Sequence, residues 1–234
     1  MRRRAPLPAV VPVPFDPAAA FTARRALGLS AALVARDMAA HGVHVAPPQV
    51  IAWESGELLP SEGELVALAR TLWCDPGVLM GGRARSVRDH RLATGMPQEE
   101  LARRVGLTPR AYAQLESAPL WEGDEAQTVA LAEALWLTPY GLALATGRED
   151  AIREVLQRAV DGRWSAQVGP LLRLVPTLHR GHVEQALRVL HDEGHASGAM
   201  WGAVQAVEAS PAGEPPSLFD RFWRLLPEPE EQAG

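Results

Sequence analysis

Paired histidines are the first residues here whose type and spacing could do chemistry. His179 and His182 stand three apart and His191 and His195 four apart, so each pair would share a helix face. With Asp192 and Glu193 alongside, the second pair has the donor types of a zinc site. Gly194 lies between its members, however, and is expected to end that helix. We therefore read no metal site. Cys74 is the single cysteine, which excludes an intrachain disulfide and a zinc ribbon; beside Trp73 it reads as a small hydrophobe at a helix end. The 234 residues hold no Gly-rich phosphate loop, nucleophile elbow or paired-carboxylate motif, so the chain does not read as an enzyme and no cofactor is expected.

Charge supplies the next constraint. All 23 cationic residues are arginine, and the formal net charge is −5. It divides as +2 over residues 1–16, 0 over 17–85, −2 over 86–148 and −5 over 149–234. A nucleic-acid binder usually carries a basic footprint, and neither central segment has a net one, so any such role must rest on individual side chains. Hydrophobic residues at 47% are enough for real cores. No apolar run approaches 18 residues, so no membrane span is expected. Arg2-Arg3-Arg4 precedes Pro6, Pro8, Pro12 and Pro14, which break the apolar helix a signal peptide needs. Residues 1–16 are expected to form a flexible arm, and the protein to be cytoplasmic.

The elements that would position a site are announced by an internal repeat. Val66-Ala67-Leu68-Ala69, Leu72-Trp73, Pro76 and Leu79 recur 63 residues later as Val129-Ala130-Leu131-Ala132, Leu135-Trp136, Pro139 and Leu142. Arg24, Ala35 and Glu54 answer to Arg91, Ala102 and Glu116. Two copies of one small helical domain follow. In the second, Gln98 to Val105 reads as a helix with Leu101, Ala102 and Val105 inward, Gly106 as the turn, and Thr108 as N-cap with Pro109 at the first helical position of a helix reaching about Glu116. A helix, a short Gly-containing turn and a second helix is the unit many DNA binders use. Trp73 and Trp136 are expected in the core, as continuations of an apolar helical stripe.

These residues resemble the lambda repressor and Cro-like helix-turn-helix family. Arg91, Gln98, Leu101-Ala102, Gly106-Leu107-Thr108 and Glu116 carry the likeness in the second copy; Arg24, Leu29-Ser30, Val34-Ala35, Trp53-Glu54-Ser55-Gly56 and Pro60-Ser61 carry it in the first. The resemblance covers residues 18–146. It implies an all-α fold of two tandem five-helix domains (17–85 and 86–148), followed by a C-terminal helical region. It implies that Arg91 with Glu116, and Arg24 with Glu54, are structural ion pairs. It also implies that Gln98 anchors a phosphate and that Thr108, Arg110, Ala111 and Gln114 face the DNA bases, with Pro48, Gln49 and Ala52 as their counterparts and Ser61 at a phosphate-facing helix start. In the major groove Arg can fork onto guanine and Gln onto adenine. Arg103 on the preceding helix is a candidate phosphate contact.

The copies depart from the pattern differently. The first spans 19 residues from Ala35 to Glu54, against 14 in the second, and the excess points to a longer turn at Ala40 to Val45. It has Ala31 where the second has Gln98, and the second has Glu122-Gly123-Asp124 where the first has Pro60-Ser61. Residues 149–207 read as helices near Asp150–Val160, Ala166–Leu174 and His182–His191, forming a dimerisation or sensing region or, with Gly194 and Gly198 as a wing, a winged helix. Residues 208–234 read as a Pro-rich acidic tail whose short apolar helix, 218–226, places Phe219, Phe222, Trp223 and Leu226 on one face for docking on this chain or on a partner protein. The expected function is sequence-specific transcriptional regulation, with double-stranded DNA and a second copy of the chain as partners. The alternative is an adaptor or scaffold whose helix-turn-helix domains no longer bind DNA.

Overall fold

A computed structural model describes residues 12–201 and 216–227, with side chains through His195 in the helix that ends at Trp201. The described residues are helices and turns with no strand, and none of these helices is long and apolar enough to cross a membrane. The chain divides into two compact units, 1–98 and 99–234.

In the first unit, five helices follow one another: α1 (Pro17–Ala26), α2 (Ala31–Ala39), α3 (Pro47–Glu54), α4 (Glu62–Thr71) and α5 (Pro76–Leu79). Local chemistry fixes their starts. Asp16 accepts from the backbone N–H of Ala18 and Ala19, with Pro17 first in the helix. Ser30 caps α2, and Ser61 with Glu64 forms a capping box on α4. The core gathers Val34, Met38, Val50, Trp53, Leu65, Leu68, Leu79 and Met80. Val13 and Phe15 join it, so residues 12–16 are not a flexible arm: the prolines hold an extended strip whose two large apolar side chains point inward, and Asp16 N–H donates to Leu79 O at 2.7 Å. Arg2 to Arg4 lie outside the described residues. A sixth helix, α6 (Val87–Ala93), also belongs here, although the repeat assigns it to the second copy. Leu92 enters this core, and a Cβ on Gly77 of α5 would stand 3.3 Å from that of Ala93, so the two helices meet closely.

The second unit continues with α7 (Gln98–Arg104), α8 (Pro109–Ser117), α9 (Glu125–Ala134) and α10 (Pro139–Ala145). It then adds α11 (Glu149–Asp161), a 3-10 turn at Trp164–Gln167, α12 (Val168–Leu174), α13 (Arg180–Trp201) and α14 (Leu218–Leu225). α13 runs straight through Gly194, contrary to the expected stop. A Cβ there would lie 2.5 Å from Val160 Cγ1, so the glycine serves close approach of α13 to α11 rather than termination. With one continuous helix to Trp201, Gly194 and Gly198 do not start a wing. α14 lies on α11 and α13 of its own chain. Its Phe219 and Phe222 are fully buried, and Trp223 meets Tyr140 edge-on at 5.4 Å. Leu226, just past the helix end, is half-buried. Phe219, Phe222 and Trp223 thus pack within the chain.

Trp73 and Trp136 overturn the core expectation: both are 88% exposed, and both adopt φ of +54°. The stripe argument fails because the helix stops one residue earlier. Trp73 N–H donates to Arg70 O and Cys74 N–H to Ala69 O; Trp136 and Leu137 repeat this onto Glu133 and Ala132. Each is a Schellman closure with tryptophan where glycine usually sits.

Candidate nucleic-acid interface

The second copy builds its presented helix through short-range chemistry. Gly106, at φ +70°, closes α7 as its N–H donates to Arg103 O while Leu107 N–H donates to Ala102 O. Only two residues then intervene before Pro109 opens α8, and the Thr108 hydroxyl accepts from Ala111 N–H at 3.3 Å. Tyr112 anchors the helix from below, fully buried, with its hydroxyl donating to Glu116 at 2.8 Å. That leaves Thr108, Arg110 and Gln114 exposed, Arg110 and Gln114 one helical turn apart, and Ala111 half-buried beside them. Arg103 is exposed near the end of α7, whereas its neighbour Arg104 pairs with Glu100 at 2.6 Å. Neither Arg103 nor Arg110 is in an ion pair among the described residues. Gln98 is half-buried at the first position of α7.

The first copy gives its counterpart helix different chemistry. Arg24 forks onto Glu54, Nε to Oε1 at 2.6 Å and Nη2 to Oε2 at 2.7 Å, while Nη1 donates to Leu29 O. This ties α1 to the last residue of α3, and the Glu54 hydrogen bond holds the Arg24 guanidinium above its ordinary pKa against the opposing effect of burial. On α3 itself, Gln49 donates to Glu64 at 2.8 Å, and the Ser61 hydroxyl is taken up by the Glu64 capping box. Pro48 is exposed and Ala52 half-buried. Ile51, which no sequence motif marked, is 57% exposed between them, and Leu58 and Leu59 are exposed in the loop that follows. The face is apolar and has no cation.

The five extra residues of the first copy are distributed in a way its sequence did not reveal. Three lie between Ala35 and Gly42, where Gly42 N–H donates to Ala39 O and Val43 N–H to Met38 O, so they extend the last turn of α2. The other two lie between Gly42 and Pro47 and lengthen the turn itself.

Arg91 and Glu116 fall in different units. Within the first, Arg91 Nη1 donates to Met96 O at 3.1 Å, the same five-residue reach as Arg24 to Leu29, and Nη2 pairs with Glu62 at 3.2 Å. Arg88 meets the same carboxylate at 2.5 Å. Burial pushes the Glu62 carboxyl up, but these two arginines outweigh it and hold it below its ordinary value. Among the histidines, His191 Nδ1–H donates to the carbonyls of Ala159 and Val160 at the end of α11, and its ring lies 4.2 Å from that of His195. His191 thus has a role in holding helix to helix.

No family model, curated protein or solved structure matches this chain.

Proposed function

We propose that the protein is a sequence-specific DNA-binding transcriptional regulator of the helix-turn-helix kind that reads DNA through α8. The observation that carries this reading is the exposed pair Arg110 and Gln114, one turn apart near the capped start of a helix that follows a short, glycine-closed turn. Set in the major groove, the Arg110 guanidinium forks onto guanine O6 and N7, and the Gln114 amide pairs with adenine N6 and N7. Arg103 and the backbone N–H groups at the start of α8 hold phosphates and fix the register. Because the net charge is −5, affinity rests on these few contacts and not on a basic surface.

Selection of bound fragments from random DNA, followed by affinity measurement over a salt series, tests the reading. A recurrent sequence with affinity falling steeply as salt rises supports it, and no affinity at low salt removes it. A second reading draws on α3. The apolar surface of Pro48, Ile51 and Ala52, with Leu58 and Leu59 after it, suits a protein partner better than a phosphate backbone. An adaptor that binds protein through α3 and no DNA through α8 would show that partner and an empty selection.

A further inference from the structure

The second unit has an open, cavity-like groove of about 340 Å³ between α11 and α12 whose wall residues have no assigned role. Val155 and Leu174 contribute apolar wall, and Arg148, Arg158 and Arg173 line it together with one acidic residue, Glu154. Arg148, Glu154, Val155 and Arg158 recur at helical spacing, so one stripe of α11 supplies most of the charge.

Arg148 is the unusual member. It occupies the N-cap of α11, where a small polar residue is normal and a cation opposes the helix dipole. It is 8% exposed. Its Nη1 donates to Leu174 O at 2.6 Å, and Nη2 to Trp121 O at 3.3 Å and Thr128 Oγ1 at 3.4 Å. All three acceptors are neutral, and no carboxylate among the described residues pairs with it. Burial pushes its pKa down, with no nearby anion pushing back. Arginine remains protonated in proteins, so the charge persists. A buried charge with hydrogen bonds but no counter-ion is costly, and an anion in the adjoining cavity would offset that cost.

We propose that this cavity binds a small organic carboxylate, its head group between Arg148, Arg158 and Arg173 and its carbon body against Val155 and Leu174. The guanidinium fork matches a carboxylate in two parallel hydrogen bonds. The apolar wall selects an anion with a carbon stem over a bare inorganic one. The site lies apart from the α8 residues, and its test contains no DNA.

Calorimetric titration of the full chain with acetate, benzoate, octanoate, 1-octanol and inorganic phosphate decides the matter. Benzoate or octanoate is expected to bind and raise the melting temperature, with acetate and phosphate each weaker by about tenfold or more. Arg158 and Arg173 are exposed, so R158Q/R173Q should keep the fold by circular dichroism while lowering carboxylate affinity by about tenfold. E154Q should tighten it. The proposal is overturned if neither carboxylate binds at about 10 mM, if octanol or phosphate binds as tightly as octanoate, or if R158Q/R173Q retains the original affinity.

Discussion

α3 and α8 occupy matching places in the sequence repeat, yet they have opposite surfaces. α8 keeps arginine and glutamine exposed and commits its tyrosine to the core. α3 turns its one comparable amide, Gln49, onto Glu64 and exposes proline and isoleucine. α3 is also tied to α1 by the part-buried, bidentate Arg24–Glu54 pair. Helices at matching places in a sequence repeat can thus carry unlike surfaces, so the repeat by itself does not report what either helix binds.

The largest effect expected from disturbing this contrast lies in the first copy's scaffold. Glu54→Ala strands the Arg24 charge in a site where the two side chains are 12% and 9% exposed. Loss of one member of such a pair costs about 3–5 kcal/mol. Urea denaturation should show it as a lower midpoint, and a loss under about 1 kcal/mol would rank the pair with ordinary surface bridges. Next comes the display. Arg110→Ala should weaken a selected DNA site by about 1–3 kcal/mol and relax preference at one base pair. Gln49→Ala should leave DNA affinity unchanged, because that side chain already serves Glu64. Equal losses in the two variants would erase the distinction between the helices.

A smaller effect should be shared by both copies. Trp73→Gly and Trp136→Gly each relieve a left-handed backbone at an exposed site, so each should stabilise by about 1 kcal/mol and raise the melting temperature. A gain in one copy and a loss in the other would show that one tryptophan packs in solution. The smallest effect is acidic. Glu62 is held below its ordinary value, so its contribution is complete above the unfolded carboxylate pKa and is lost as pH falls through the lower folded value. Burial pushes His90 down against the pull of Asp89, so protonation favours unfolding, and stability starts to fall below the ordinary histidine value. Both groups lie in the first unit. Melting against pH should decline in these two stages, the upper one removed by His90→Gln and the lower flattened by Glu62→Gln.

Features governed by near neighbours in sequence were legible, and features governed by distant ones were not. Thr108 with Pro109 could be read as a helix start because a cap and its helix are contiguous. The exit at Trp73 could not be placed to the residue, since no glycine stands at the left-handed position and a Leu-Trp step reads as more helix. Gly194 looked like a stop because its reason, Val160, is 34 residues away. The groove that receives Phe219 and Phe222 exists only once α11 and α13 are packed. The exposure of Ile51 was not legible because no motif includes it, nor was the Gln49–Glu64 bond, because Gln49's partner is on another helix. Arg148 did leave a trace: a cation directly before an acidic helix start is a poor N-cap.

The placement of α6 has one more consequence. By pattern it starts the second copy, yet Leu92 completes the first core and Ala93 lies against Gly77. The length that repeats is thus not the length that folds. A fragment cut where the repeat restarts, after Arg85, would lose part of its own interior and present a sticky apolar scar, whereas one cut after Gln98 would keep Leu92 and Ala93 with the core they pack on. Anyone dividing this protein for crystallography or spectroscopy should cut by the packing and ignore the periodicity.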